Sequence, residues 1–418
     1  MINIQKFKKG YKNMKENILK KFTNYVKFDT QSMDGSSTQP STLKQRKLGE
    51  FLVEELHALG VDNAYIDEYG YVYATIKSNV GSTNSLGLIA HMDTATEVTG
   101  ANVKPQVINN YDGNDITLPN GIKLSPKDYP TLKKALNHTI VTTDGTTLLG
   151  GDDKAGIAVI MELVDTLLHS DKYEYPNLYI AFTPDEEIGE GATYFNYDYF
   201  KVDFAYTIDG AEIDTIAYEN FNAASATVEI NGYNIHPGDA KGKMINSMLI
   251  AMEFNSMLPT LKTPANTEGY EGFFHLNEMS GDVTTSKLHY LIRNHNKDEF
   301  ESQKQLMYGI EEYLNLKYPT KPIKLTITDS YQNMRDIVMT KPICLELAVK
   351  GMLQEKIEPK FSPIRGGTDG ARLTYEGIIC PNLGTGSYNH HGILEYADID
   401  EMDQLVKVLI NMLNKYAK

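Results

Sequence analysis

The order of apolar and polar positions divides the chain into stretches of helical and of extended period. Leu48, Phe51, Leu52, Leu56 and Leu59 recur at helical spacing and predict an amphipathic helix over 42–60, stopped by Gly60. Residues 65–76 read as a hairpin turning at Glu68-Tyr69-Gly70. Three short apolar runs, 86–90, 178–182 and 204–208, read as buried strands, and 154–170 reads as a helix with a broad apolar face. Buried strands separated by helices predict an α/β sheet. The pattern then changes. Residues 225–231, 287–293 and 323–328 are strand-like, whereas 247–258 and 298–316 are helical. This run predicts a smaller α+β domain, a sheet with two helices, inserted into the first. Helices over 342–353 and 400–416 resume the larger domain. The expected layout is 1–219 and 332–418 for the larger domain and 220–331 for the insertion.

Composition narrows the class. A chain of 418 residues suits two domains, and a hydrophobic fraction of 41% is enough for sizeable cores. The net charge of −15 disfavours nucleic acid and anionic membranes as partners. Lys6, Lys8, Lys9, Lys12, Lys15, Lys20 and Lys21 gather near the N-terminus and read as the solvated face of a first helix. Cys344 and Cys380 are too few for a disulfide framework or a thiolate metal site. The start of the chain lacks the apolar stretch of a signal peptide, and no apolar run approaches the roughly 18 residues needed to span a bilayer. A cytoplasmic location, with no membrane partner, is the expectation.

The chemistry collects at strand ends. In open α/β sheets ligands bind beyond the carboxyl ends of the strands, and each of the three buried runs ends in an acidic or histidine cluster. The first is His91-Met92-Asp93, where a metal-ligating His91 would have Asp93 beside it to orient the ring. Taken alone, a solvated strand end would look the same. The second buried run leads into Asp185-Glu186-Glu187. Three consecutive carboxylates repel one another unless solvated or bound to cations, and adjacent residues of extended chain point apart, so Glu186 and Glu187 should do different work. Asp209 ends the third run, before Gly210. Gly150-Gly151-Asp152-Asp153 precedes the apolar helix. One aspartate would serve as its cap, but two, behind glycines that permit close backbone approach, exceed that need. Downstream, His390-His391 lies in a glycine-rich loop, and spacing does not choose between them. Histidines and carboxylates without thiolates suit Zn²⁺, Co²⁺ or Mn²⁺. The carboxylate count favours two ions, whose charge three ligating carboxylates and a bridging hydroxide would neutralise.

Taken together, several segments resemble the peptidase T family of tripeptide aminopeptidases, within the larger group of dinuclear-zinc exopeptidases and deacylases. They are Ala90-His91-Met92-Asp93-Thr94, Gly150-Gly151-Asp152-Asp153-Lys154-Ala155-Gly156, Thr183-Pro184-Asp185-Glu186-Glu187, Ile208-Asp209-Gly210, His236-Pro237-Gly238, Arg365-Gly366-Gly367-Thr368-Asp369-Gly370 and Asn389-His390-His391-Gly392. The likeness runs over nearly the whole chain. It implies a zinc-exopeptidase-like catalytic domain, a mixed sheet flanked by helices, with the insertion as a lid or dimerisation domain. It also implies two Zn²⁺ per chain, with Co²⁺ or Mn²⁺ as substitutes. His91 and Asp209 would bind one ion, Glu187 and His391 the other, and Asp152 would bridge them. Glu186 would be the general base and Asp93 the partner of His91, and the Asp152–Asp153 peptide would be cis. His390 stands where an aromatic residue is expected, and Gly151 where a small alanine would also fit. His236 resembles a donor to the tetrahedral oxyanion. Arg365 and Arg293 are candidates to grip the carboxylate of a short peptide.

The expected function is therefore release of the N-terminal residue from tripeptides by attack of metal-activated water. A dipeptidase, carboxypeptidase or N-acyl amino acid deacylase on the same scaffold is the alternative, because the metal ligands do not separate these activities. A metal-dependent binding protein without catalysis is a second alternative, and Glu186 argues against it, since a pure binder has no use for a general base. The expected partners are short peptides, with homodimerisation through the insertion.

Overall fold

In the computed structural model, which describes residues 14–418, the chain divides into two units. The first comprises the described residues up to Tyr218 together with Ile337–Phe361 and Thr368–Lys418. The second comprises Glu219–Asp336 and Ser362–Gly367, so that Arg365 belongs to it.

The first unit is built on an eight-stranded mixed sheet in the order Tyr65–Ile66, Val72–Ile76, Asn177–Thr183, Ser85–His91, Phe204–Gly210, Asn382–Gly384, Thr215–Ala217 and Lys360–Phe361. The central strands Asn177–Thr183, Ser85–His91, Phe204–Gly210 and Asn382–Gly384 run parallel. Their apolar residues are buried on both faces, which is why they read as continuous apolar runs. Being parallel, they bring their carboxyl ends to one edge, with His91 in register with Thr183. The helix Gly151–Leu168 lies against this sheet and is buried along nearly its whole length. A Cβ on Gly156 would overlap the carbonyl oxygen of Ile208, so glycine permits the close approach of this helix to the strand that carries Asp209. Helices Met14–Tyr25 and Ile399–Tyr416 pack on it in turn.

A smaller four-stranded sheet, ordered Ser387–Tyr388, Tyr396–Asp398, Ile140–Thr142 and Gln106–Ile108, was not anticipated from the periodicity. Its strands are two or three residues long, too short to show a period. Lys21 corrects the reading of the basic residues as a solvated face. It is buried, with its ammonium 2.7 Å from Glu162 and 3.2 Å from Asp165. Lys6, Lys8, Lys9 and Lys12 lie outside the described residues.

The second unit is a four-stranded antiparallel sheet in the order Phe273–Gly281, Thr285–Asn294, Asn222–Asn231 and Ile323–Tyr331, with helices Ser247–Ser256 and Lys297–Lys317. One apolar cluster joins sheet and helices through residues such as Val228, Ile230, Phe254, Ile292, Met307 and Leu314. Alternation along Asn222–Asn231 buries Ala224, Ala226, Val228 and Ile230. The edge strand Phe273–Gly281 went unpredicted because most of its residues are exposed and its sequence does not alternate. Among the described residues no helix is long and apolar enough to cross a membrane, and both cysteines are buried and unpaired.

Candidate active site

His91, Asp93, Asp152, Glu186, Glu187, Asp209 and His391 all lie in the first unit. Side-chain nitrogen and oxygen atoms of His91, Asp152 and Glu187 fall within 4.8 Å of one another, as do those of His91, Asp153 and Asp209. Asp152 is central. Its Oδ1 lies 2.9 Å from His91 Nε2, and its Oδ2 lies 3.6 Å from His391 Nε2 and 3.1 Å from His390 Nδ1. One carboxylate thus presents its two oxygens to two different histidine sides. Asp209 Oδ1 is 3.4 Å from His91 Nε2, and Glu187 Oε2 is 3.0 Å from His391 Nε2. The Asp152–Asp153 peptide is cis.

The remaining acidic residues are separated by what they touch. Asp93 is fully buried, and its Oδ1 lies 3.4 Å from His91 Nδ1. The same carboxylate accepts hydrogen bonds from the backbone N–H groups of Glu186 at 3.0 Å and Glu187 at 3.1 Å. It therefore braces both the first strand end and the turn after the neighbouring strand. Asp153 accepts from the N–H groups of His91 and Gly156, the work of a helix-start residue. Asp185 turns away to the chain near Ser41 and Gln45, accepting from Ser41 N at 2.6 Å and Gln45 Nε2 at 2.6 Å. Glu186 and Glu187 diverge, though not as extended chain: they open the short 3₁₀ helix Glu186–Ile188, in which successive side chains stand about a third of a turn apart, so that Glu187 faces His391, whereas Glu186 Oε1 accepts from the N–H of Asp369 at 3.4 Å.

The donor set fits divalent cations. Histidine nitrogens and carboxylate oxygens are hard to borderline ligands, and Glu187 Oε1 is buried with no hydrogen-bond partner. Burial raises the carboxyl groups of Glu187 and Asp369 to about 7 and that of Asp209 to about 6. Acids crowded in this way resist ionisation until positive charge is supplied.

Comparison with known proteins shows the family. Peptidase T from Halothermothrix orenii is 49% identical over 403 residues, covering 96% of this chain and 99% of that one. The chain belongs to the peptidase T family. As a peptidase T it is an aminopeptidase, a hydrolase of peptides. Residues 218–322 match a peptidase dimerisation domain, and residues 136–253 match M42 glutamyl aminopeptidase. In fold, the chain is similar to the crystal structure of aminopeptidase PepT from Bacillus cereus, with a TM-score of 0.77 at 18% identity, covering 97% of this chain and all 100% of that one. It is also similar in fold to a dinuclear metal binding peptidase of the M20 family from Bacillus subtilis, with a TM-score of 0.63 at 13% identity over 97% of this chain and 98% of that one.

The structure shows the surroundings of His390 and Gly151. His390 stands where an aromatic ring was expected and points its Nδ1 at the Asp152 carboxylate, while its buried Nε2 has no hydrogen-bond partner. Gly151 was read as a place where alanine would also fit. A Cβ there would overlap Ser387 Oγ, a hydroxyl without a hydrogen-bond partner that would have to rotate away, and would come within 3.1 Å of Glu395 Oε1. Gly151→Ala is therefore expected to cost about 1–3 kcal/mol through overpacking, and Gly151→Ala with Ser387→Gly to recover most of that loss. Thermal unfolding of the two variants measures this, and equal melting temperatures for Gly151→Ala and the unaltered protein would show that the turn adjusts freely.

His236, Arg293 and Arg365 belong to the second unit. His236 is exposed and accepts from the N–H of Gly238 at 3.2 Å. Arg293 donates from Nη1 to the carbonyls of Ala224 and Ile292 and lies over the ring of Tyr331. Arg365 donates from Nη1 to the carbonyls of Gly269 and Glu271 and from Nη2 to Thr267 Oγ1, and it stacks over Phe221 and Phe273. Both guanidinium groups are thus oriented by their own unit. Asp369, in the Arg365–Gly370 segment, carries no ligand-type signal in the sequence. It is buried and accepts from Thr183 Oγ1 at 3.1 Å, and a Cβ on Gly191 would overlap its carboxylate.

Proposed function

We propose that the chain releases the N-terminal residue from tripeptides with the help of two divalent cations, zinc in the first instance. The observation that carries this reading is the Asp152 carboxylate, shared between His91 on one side and His391 on the other at the strand ends. His91, Asp209 and one Asp152 oxygen would hold the first ion, and Glu187, His391 and the other Asp152 oxygen the second. Bound there, such ions supply Lewis acidity and lower the pKa of water from 15.7 to about 7.

The chain's own groups then divide the work. Asp93 keeps the His91 ring and the Glu186–Glu187 turn in register. Glu186 has no histidine among its hydrogen-bond partners, so its carboxylate is available to take the proton of the attacking water and hand it to the departing amine. His236 is assigned to the developing oxyanion, and Arg365 and Arg293 to the substrate carboxylate, by family resemblance. Their preset guanidinium orientation supports that role, since less freedom is lost on binding. Homodimerisation through the second unit is supported by the dimerisation-domain match and by the exposed Leu249, Met252 and Leu316. A cytoplasmic site of action is supported by the two unpaired cysteines.

An assay of free di-, tri- and tetrapeptides beside N-acylated and C-amidated tripeptides tests the reading. Free tripeptides should be preferred. Amidation should cost a charge-assisted hydrogen bond, about 1.5–3 kcal/mol in kcat/KM, and Arg365→Ala should narrow the gap between acid and amide. Preference for N-acylated substrates would make the protein a deacylase, and equal rates on acid and amide would remove the carboxylate reader.

A further inference from the structure

Glu395 is a buried acid that neither periodicity nor motif singled out. It closes the loop between Ser387–Tyr388 and Tyr396–Asp398, antiparallel strands that pair Ser387 with Ala397 and Tyr388 with Tyr396. This hairpin loop carries His391 at its tip, with Asn389 and His391 both at positive φ. The loop is held from within by Asn389 Nδ2, which donates to the Leu394 carbonyl at 3.1 Å, and by the Glu395 N–H, which donates to the Gly392 carbonyl at 3.3 Å.

The Glu395 side chain leaves this loop for another segment. Its Oε2 accepts from the N–H groups of Leu149 at 2.7 Å and Gly150 at 2.8 Å, and its Oε1 accepts from the N–H of Asp152 at 3.0 Å. These three donors belong to the turn that starts the helix Gly151–Leu168, where the first N–H groups have no partner within the helix. Gly150, the residue before this helix, has φ 79 and makes no side-chain cap, so Glu395 does from a distance what a local cap would do. The turn presents Asp152, and the loop presents His391. One carboxylate therefore ties together the backbones that carry the two.

Resting on the metal reading above, we infer that Glu395 is a positioning residue for the metal centre. It clamps the Asp152 turn to the His391 loop and so fixes the distance between the shared carboxylate and the second histidine. A carboxylate suits the task because it is acceptor-only at both oxygens. An amide at the same place offers a single acceptor oxygen and turns an NH₂ toward a backbone N–H.

Glu395→Gln, nearly the same shape, tests the clamp. Zinc affinity is measured by chelator competition, the visible absorption spectrum is recorded after loading with Co²⁺, and the metal-free protein is melted thermally. The expected result is zinc affinity weakened about 10–100-fold, an altered cobalt spectrum, and hydrolysis that recovers as zinc is added in excess. A lower melting temperature with unchanged zinc affinity and cobalt spectrum would overturn the inference and leave Glu395 a purely structural residue. Should Glu395→Gln not fold, Glu395→Asp, one methylene shorter, serves for the same comparison. If the unaltered protein binds neither zinc nor cobalt, the metal reading itself fails, whereas tight binding by both proteins defeats the clamp alone.

Discussion

Asp152→Asn is expected to purify with most of its metal missing and with hydrolysis abolished. The two oxygens of this side chain face His91 Nε2 at 2.9 Å and His391 Nε2 at 3.6 Å. An amide has one oxygen able to ligate and no charge, so it cannot serve two cations at once. The substitution also removes negative charge from the centre of a cluster in which Glu187 and Asp209 are already held above the usual carboxylate range by burial. Metal content by elemental analysis and the rate on a good tripeptide are the two measurements. Chelation of the unaltered protein should give the same inactive state, and added zinc should reverse it, because the nucleophile depends on the ions. Full activity in a demonstrably metal-free sample would end the two-ion proposal.

The second large effect separates neighbours. Glu186→Gln should retain both ions and lose roughly 10²–10⁴-fold in kcat, the usual worth of general acid–base catalysis. Glu187→Gln should instead lose metal, with activity falling in step. The two side chains differ in surroundings: Glu187 lies 3.0 Å from His391 Nε2 and keeps a buried oxygen without a partner, whereas Glu186 meets the N–H of Asp369. KM should change little in Glu186→Gln, since proton transfer rather than binding is removed. Metal loss in Glu186→Gln with full loading of Glu187→Gln would exchange the two roles.

The division of labour within the acidic runs was only partly legible in advance. That Glu186 and Glu187 diverge was legible, but for another reason than extended chain: they lie in the 3₁₀ helix Glu186–Ile188, where neighbouring side chains also point apart. That Asp185 leaves the cluster was not, because its partners, Ser41 and Gln45, are distant in sequence. Asp153 stays within reach of His91 and Asp209, yet its carboxylate serves backbone N–H groups, those of His91 and the nearby Gly156. Aspartates in a row look equivalent on paper, and only the packing around each decides which of them meets another charged group and which caps a turn.

By itself the sequence determined the α/β class, the three buried strands, the long apolar helix and the gathering of histidine and carboxylate groups at the strand ends. Local rules suffice there: apolar runs bury, parallel strands share an edge, and polar residues at their carboxyl ends face the same region. Tertiary structure alone decided three further things. Gly151 lies against the Ser387 hydroxyl, which comes to it from far along the chain and would have to turn aside for a Cβ. His390 turns toward Asp152. Glu395 reaches across to three backbone N–H groups of the Asp152 turn. Each is a contact between residues more than two hundred positions apart, and no local period, spacing or propensity encodes such a pairing. It comes into being only when the hairpin carrying His391 is laid beside the start of the helix.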